Sequence, residues 1–226
     1  DLINSGTVTI QNNANLIQNG TTNDNVGDVT VFRNSASLFK LDYTLWSSPV
    51  ASQNLLAFSP STLPNRFYTY DSGTDNYSPI VPSTNDFLAG VGYLIRMPDD
   101  HPTAIATEWN GSFDGVPNNG NVSVSVTNNT YNAVGNPYPS TIDADDFINT
   151  NGITEALYFW RKTNAAAGSA YATYTLAGGA GTGSSGSNAQ VPNGIIQVGQ
   201  GFITRATTSS LVFTNQMRTA NQANQF

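Results

Sequence analysis

Side chains suited to acid–base or nucleophilic chemistry are scarce in this sequence. His101 is the only histidine, it lies beside Asp99 and Asp100 in a turn-like stretch, and the chain contains no cysteine. A Ser-His-Asp triad would have to use His101, and no Gly-x-Ser-x-Gly elbow accompanies it. The only glutamates, Glu108 and Glu155, could form a glycosidase pair with an aspartate, but isolated glutamates are typical of exposed strands and turns. The sequence therefore predicts no catalytic residues.

Clustered aspartates are candidate calcium ligands, because Ca²⁺ prefers hard oxygen ligands. One cluster consists of Asp143, Asp145 and Asp146, and the other of Asp71 and Asp75. Neither follows the full EF-hand pattern. The alternative is that these carboxylates cap a short helix and close solvated turns. Calcium is the one cofactor that the sequence suggests.

Aromatic side chains near amides are candidate sugar-binding groups, since a sugar ring can stack on an aromatic ring while an amide bonds to its hydroxyls. Trp109, within Glu-Trp-Asn-Gly, and Tyr138, between two prolines, are predicted to be exposed, and Asn136 is the neighbouring amide. Trp46 and Trp160 occupy matching strand contexts in a repeat described below. We expect these two tryptophans in the core.

The composition is that of a folded chain with little charge. Of its 226 residues 38% are hydrophobic and only 10% are charged, well below the roughly 25% of ordinary soluble domains. The net charge is −7 and the cationic residues are scattered without a basic patch, so a nucleic-acid partner is not expected. No apolar run approaches the roughly 18 residues of a membrane span. There is no signal-like apolar region, so Asp1 is expected to begin a processed segment.

Short β-branched and aromatic runs between turn residues predict an all-β fold of the β-sandwich or jelly-roll type. Val122–Val126 alternates strictly, as expected for a half-buried strand. One short helix is predicted over Ile142–Asn149, with Asp143 as its cap. The other predicted strands are Thr7–Ile10, Val29–Val31, Phe67–Tyr70, Leu157–Trp160 and Leu211–Phe213.

Two segments depart from this pattern. Residues 1–30 have short apolar runs with Asn and Gly at the corners, as in one rung of a β-solenoid or in a hairpin. They precede a β domain predicted over residues 31–226. Within that domain, residues 165–193 are rich in Gly, Ser and Ala and are interpreted as a long surface loop.

The β domain carries an internal repeat. Gly90–Arg96 and Gly199–Arg205 share the pattern Gly-x-Gly-aromatic-aliphatic-x-Arg. Upstream matches, Tyr43–Pro49 with Tyr131–Pro137 and Phe67–Tyr70 with Leu157–Trp160, keep the same order along the chain. We therefore predict two copies of one β unit, at about 39–115 and 128–218. The glycines should permit a bulge or a positive φ, and the two arginines should hold an Asp or carbonyls.

Several strings resemble known modules. Trp46–Val50, Gly135–Asp145 and Val198–Phe202 are similar to C-terminal-side β modules of large Bacteroidetes surface proteins, especially flavobacterial ones, exported by the type IX secretion route. The resemblance covers roughly residues 30–226. It implies an extracellular or cell-surface location within an adhesin-like chain, and it implies no established activity.

These observations lead to three functional hypotheses. The first, which the sequence favours, is a non-catalytic surface adhesion or recognition module whose partner is an extracellular polysaccharide or protein. The second is a structural subunit or spacer that associates with itself through exposed edge strands. A glycan-processing enzyme is the distant third.

Overall fold

The computed structural model describes residues 1–161, 170–182 and 190–222. It is all-β, as predicted, with short strands and two short helices. The helices are α1 (Leu55–Phe58) and α2 (Ala144–Asn151). The strands in chain order are β1 (Thr9–Ile10), β2 (Val29–Asn34), β3 (Tyr43–Trp46), β4 (Phe67–Asp71), β5 (Asn76–Pro79), β6 (Tyr93–Arg96), β7 (Asn110–Gly115), β8 (Val122–Ser125), β9 (Tyr131–Gly135), β10 (Thr141–Asp143), β11 (Leu157–Trp160), β12 (Tyr171–Thr175), β13 (Gly178–Ala180), β14 (Ile195–Ile196), β15 (Gly201–Arg205), β16 (Ser210–Phe213) and β17 (Arg218–Thr219). Neither helix is long and apolar enough to cross a membrane, and this holds for the described residues alone.

Two sheets form the centre of the fold. Sheet A has the strand order β3-β6-β4-β5, and sheet B has the order β9-β15-β11-β12-β13. All pairings within these sheets are antiparallel. Across sheet A, the strands rank first, fourth, second and third by their position in the chain. The strands β9, β15, β11 and β12 of sheet B follow the same ranking.

The likeness extends beyond the sheets. β2 precedes the strands of sheet A in the chain, β7 follows them, and the two pair with each other. β8 and β16 precede and follow the first four strands of sheet B and pair in the same way. Each helix follows the first strand of its sheet, α1 after β3 and α2 after β9. The repeated strand order therefore includes β2 and β8, which lie outside the predicted ranges 39–115 and 128–218.

The two units contact each other through equivalent backbone hydrogen bonds at the point where their strands cross. Ser47 N donates to Gly199 O at 2.8 Å, and Gly135 N donates to Gly90 O at 2.9 Å. Ser47 corresponds to Gly135 in the sequence repeat, and Gly90 corresponds to Gly199. Each unit thus makes the same bond to the other, which is the pattern of a two-fold interface between identical subunits.

The glycines of the repeated motif are explained by this crossing. Gly90 and Gly199 have positive φ values of 77° and 67°, a conformation that glycine adopts without a steric cost. A Cβ on Gly201 would lie 2.7 Å from Leu45 Cγ, and one on Gly92 would lie 3.0 Å from Val134 O. The first glycine of each motif therefore makes a turn, and the second lets the other unit's strand approach closely.

The repeated pattern ends in an arginine, and each arginine forms an ion pair. Arg96 Nη2 lies 3.1 Å from Asp99 Oδ1, and Arg205 Nη1 lies 2.8 Å from Glu155 Oε1. The predicted role of holding an Asp or carbonyls is confirmed, since Arg96 holds Asp99 and Arg205, besides its pair with Glu155, donates to Asn129 O at 3.3 Å.

Each unit has its own core on the outer face of its sheet. Trp46, Phe58 and Phe113 are central to the core of the first unit. Phe147, Phe202 and Phe213 are central to the core of the second. A third cluster lies between the inner faces of the two sheets. Since side chains alternate across a strand, each central strand contributes to both faces.

The N-terminal segment winds so that its short strands pair in parallel, and it does not form a hairpin. β1 pairs with β2 in parallel, with Thr9 opposite Thr30, and Ile3 forms a parallel bridge to Val26. Parallel neighbours cannot be joined by a tight hairpin turn, so the chain must travel back between them. Of the two predicted alternatives, the parallel pairings exclude the hairpin, and the solenoid-like rung stays a prediction.

The segment 165–193 is only in part the predicted surface loop. Its residues Tyr171–Thr175 and Gly178–Ala180 form strands β12 and β13, which extend sheet B. The reason is local: Tyr-Ala-Thr-Tyr-Thr alternates in burial, and Gly178 supplies a positive φ of 116° at the turn. Residues 165–169 and 183–189 lie outside the described residues.

Free sheet edges bear on the self-association alternative. The outer edge strand of sheet A is β5, which ends at Pro79, and that of sheet B is the three-residue β13. The opposite edge strands, β3 and β9, face the other unit through the bridges Trp46–Gln200 and Val134–Val91. Short, proline-ended edges offer few hydrogen bonds to an added strand. Edge-strand pairing stays a prediction.

Candidate functional site

Aromatic side chains fill much of the space between the two sheets. At the centre lie the buried aliphatic residues Leu45, Leu94 and Ile203. Around them is a layer of partly buried rings, here called the aromatic layer: Tyr43, Tyr68, Tyr70, Tyr77, Tyr131, Tyr158, Trp160 and Tyr171. Alternation places Tyr68 and Tyr70 on one face of β4, and Tyr158 and Trp160 on one face of β11.

The rings of the aromatic layer touch across the two sheets. Tyr77 of sheet A meets Trp160 of sheet B edge-on, with ring centroids 6.1 Å apart. Trp160 in turn meets Tyr171 at 5.3 Å, and the Tyr77 and Tyr171 hydroxyls are 3.2 Å apart. Burial raises the pKa of both Tyr77 and Tyr171, so both hydroxyls remain protonated near neutral pH.

An open groove borders the aromatic layer beside Tyr70. Its volume is about 320 Å³. The lining combines the Tyr70 ring and aliphatic groups with hydroxyls and one amide: Tyr70, Ser72, Val91, Val124, Ser125, Val126, Thr127, Asn132 and Ala133. This size is at the lower end of the range for small-ligand sites, and the lining is more polar than that of most such sites.

The groove joins the two units of the fold. Ser72, after β4, and Thr127, after β8, have hydroxyls 2.8 Å apart. Asn132 is fixed on the second side, since its Oδ1 accepts from Thr127 N at 2.9 Å. The groove walls are therefore held by hydrogen bonds before any ligand arrives.

No formal charge lines the groove. Among its lining residues, all within the described chain, there is no Asp, Glu, His, Lys or Arg. The Tyr70 hydroxyl donates to Asp75 at the rim, and burial together with this carboxylate raises the Tyr70 pKa. The groove can therefore offer apolar surface and neutral hydrogen bonds.

A charged pair lies at Tyr131, another member of the aromatic layer. Glu155 Oε2 accepts from the Tyr131 hydroxyl at 3.0 Å, and Glu155 Oε1 accepts from Arg205 at 2.8 Å. The hydrogen bond from Arg205, followed by that from Tyr131, lowers the pKa of Glu155. This glutamate has the role of an ion-pair partner in the structure.

The pKa of Glu155 predicts a pH-dependent stability contribution. Because its folded-state pKa lies below the unfolded value, the contribution is present above the unfolded pKa and is lost as pH falls through the folded pKa. We expect Glu155→Gln to lower the melting temperature slightly at pH 7, and we expect this difference to shrink as pH falls below the usual glutamate pKa of about 4.3. Melting curves of both proteins across this range test the prediction. Repetition in high salt is the control, because salt screens an exposed pair. A difference independent of pH would contradict the assignment.

Two predicted ligand residues, Tyr138 and Asn136, are buried, which corrects the expectation of exposure. Tyr138 is 0% exposed, its hydroxyl donates to Gly120 O at 2.5 Å, and the Arg218 guanidinium lies 4.8 Å from its ring centre. Asn136 is also 0% exposed, and its Nδ2 donates to Ser140 O at 2.7 Å. The Gly-Asn-Pro-Tyr-Pro stretch therefore closes the interior, with its polar atoms satisfied by the backbone.

Trp109, the third predicted ligand residue, is half-buried. Its ring meets Trp46 at 5.9 Å and Phe58 at 5.2 Å, both edge-on. It therefore covers the core of the first unit from outside, away from the groove-lining set. Trp46 is fully buried, as predicted, whereas Trp160 is only partly buried and belongs to the aromatic layer.

The predicted calcium ligands serve as caps and hydrogen-bond acceptors. Asp143 caps α2 by accepting from Asp145 N at 2.8 Å and Asp146 N at 3.2 Å, as the cap prediction required. Asp145 also accepts from the Tyr174 hydroxyl, and burial raises the pKa of Asp146. Within the described residues there is no group of three acidic or histidine side chains that could hold a metal ion.

The second acidic cluster is divided between a turn and a tyrosine. Asp71 accepts from Gly73 N at 2.8 Å, which lowers the Asp71 pKa, and Asp75 accepts from Tyr70. Calcium binding stays a prediction, for which neither cluster provides a gathered ligand set.

The residues first considered for catalysis lie in separate surroundings. His101 is buried, with Nε2 2.9 Å from Leu38 O, and Glu108 accepts from Asn34 Nδ2 at 3.0 Å. Glu155 is paired with Arg205 as described above. Each has structural partners of its own.

Sequence reasoning missed the groove. Its polar residues, Ser72, Ser125 and Thr127, come from two different units and have no local pattern that marks them. The one available signal was the spacing of Tyr68 and Tyr70 on β4, and of Tyr158 and Trp160 on β11, which indicates an aromatic inner face.

These features define an all-β, internally duplicated sandwich module with an open, uncharged groove at the junction of its units. The chain belongs to the family described as "Domain of unknown function (DUF8693)", whose model matches residues 1–226. No curated protein and no solved structure matches the chain.

Proposed function

We propose that this chain is a non-catalytic recognition module of the cell exterior that binds a neutral saccharide in the groove. One observation carries the proposal: an open groove of about 320 Å³ unites a tyrosine ring with several hydroxyls and contains no charged side chain. The low share of charged residues and the resemblance described above support an extracellular setting.

The chemistry of the groove suits a sugar. The C–H faces of a pyranose pack on aromatic and aliphatic surface, here Tyr70, Val91 and Val126. Its hydroxyls can exchange hydrogen bonds with Ser125 and Thr127 at the rim. A neutral groove would disfavour a charged ligand, which would lose its hydration without a counter-charge.

The groove test uses two serines of one strand. Ser125 and Ser123 are both exposed, lie on the same face of β8, and differ in that only Ser125 lines the groove. On a glycan array, we expect the wild-type chain to bind at least one neutral polysaccharide. Ser125→Trp should weaken that binding at least tenfold by filling the groove, and the control Ser123→Trp should not.

A second pair of variants tests stacking. Tyr70→Ala should lower affinity by roughly tenfold, which corresponds to about 1.4 kcal/mol, while Tyr70→Phe should retain binding because the ring remains. Equal binding by Ser125→Trp and Ser123→Trp would refute the groove as the site. Hydrolysis of a bound glycan by the purified chain would refute the non-catalytic role.

A further inference from the structure

Arg161, directly after β11, is a buried arginine with no carboxylate partner among the described residues. It is 7% exposed, its Nε has no hydrogen-bond partner, and no described carboxylate forms an ion pair with it. The stretches 162–169 and 183–189 contain no Asp or Glu. Its charge therefore has no acidic partner from either segment.

The other buried arginines are bound. Arg33 donates to Asn12 and Asn13, and Arg96 pairs with Asp99. Arg218 donates to Ser140, Asn119 and Asn215. Arg161 is thus the exception among the buried arginines of the described chain.

Burial without a partner is unfavourable for a guanidinium, because it loses hydration without gaining an ion pair. Desolvation lowers the Arg161 pKa to about 10, so the group is still charged at neutral pH. Fixed, dry cations of this kind favour binding of a complementary anion.

A small pocket opens at this arginine. It is lined by Phe159, Arg161, Pro192, Asn193, Ile195 and Gln200, and its space of about 10 Å³ admits one water-sized group. That is room for one end of a carboxylate or sulfate group, beside the amides of Asn193 and Gln200. Gln200 is held in place, since its Oε1 accepts from Gln197 N at 2.9 Å.

We propose that this pocket is an oxyanion-binding site in which Arg161 holds the carboxylate or sulfate group of an acidic saccharide. The site lies on the face of sheet B opposite to the aromatic layer, because Phe159 and Arg161 alternate with Trp160. It does not depend on ligand binding in the groove, and each site can fail its test alone.

The first experiment measures thermal stability and calorimetric binding of the purified chain at constant ionic strength. The probes are sodium galacturonate, sodium sulfate and, as a neutral control, galactose. We expect a saturable rise in melting temperature with galacturonate, sulfate or both, and none at this site with galactose. A response to one anion alone identifies the source of the oxyanion, carboxylate or sulfate. No saturable response to either would overturn the proposal.

Variants assign the effect to Arg161. Arg161→Met keeps a long apolar side chain and should remove the anion response. Any rise in melting temperature that remains in this variant measures the general stabilising effect of sulfate. Arg161→Lys should weaken binding at least tenfold, since lysine lacks the planar fork of arginine. The control Arg66→Met alters a partly buried arginine outside the pocket lining and should leave the response unchanged.

The same variant separates ligand binding from a structural role. Without anion, Arg161→Met should melt at the wild-type temperature or above, because an uncompensated buried charge has been removed. A markedly lower melting temperature would show that Arg161 is compensated within the fold, and would overturn the site. If Arg161→Met does not fold, unchanged anion affinity in Arg161→Lys would overturn the site as well.

Discussion

Gly135→Ala is expected to lower the free energy of unfolding by about 3 kcal/mol, at the upper end of the usual cost of overpacking. A Cβ at this position would lie 2.5 Å from Ser47 Cβ and 2.9 Å from Gln200 O. Ser47 is the residue that corresponds to Gly135 in the repeat, so the contact lies where the two units cross. Neither neighbour can move without shifting backbone.

Urea denaturation of Gly135→Ala measures this cost, with Gly6→Ala as the matched control. At Gly6 the nearest atom to a new Cβ is Asn4 Oδ1 at 3.9 Å, an ordinary contact. The control should change stability by less than about 0.5 kcal/mol. Equal midpoints for the two variants would contradict the close crossing of the units.

Trp46→Ala is expected to be the most destabilising single truncation, costing about 3–5 kcal/mol. Trp46 is 0% exposed and packs edge-on against Phe58 at 5.3 Å and Phe113 at 6.1 Å. Its removal leaves a cavity in the first unit's core, next to the bridge from Trp46 to Gln200. At roughly 2–4 °C per kcal/mol for a chain of this size, the fall in melting temperature is easily measured.

Trp109→Ala is the matched control for this truncation. Trp109 is half-buried and contacts the same core from outside. Its loss removes less buried area and leaves a site that water can fill, so the cost should be clearly smaller. If Trp109→Ala destabilises the chain as much as Trp46→Ala does, the assignment of Trp46 to the core and of Trp109 to its surface is wrong.

The duplicated architecture gives these predictions a common basis. The two units bond to each other through matched positions, as the pairs Ser47–Gly199 and Gly135–Gly90 show. Such an arrangement is that of a two-fold dimer joined into one chain. The two proposed sites break this symmetry, because Tyr70 of the groove corresponds to Trp160 in the repeat and Arg161 corresponds to Asp71.

Features that depend on neighbours along the chain could be predicted from local sequence patterns. Alternating apolar residues placed β4, β8, β11 and β16, and Asp143 identified the start of α2. The repeated Gly-x-Gly pattern marked two strands in corresponding positions of two sheets. Each signal is a local rule of backbone conformation or side-chain period, so it survives without knowledge of the fold.

Only the tertiary structure decided which side chains are accessible. Tyr138 looked exposed between two prolines, yet Gly120 and Arg218 enclose it. Nothing in the local sequence marks Arg161 as buried, yet it lies in the interior and no described carboxylate accompanies it. Burial and pairing depend on residues that are distant in the sequence and are brought close by the packing of whole sheets. A local sequence pattern therefore cannot predict them.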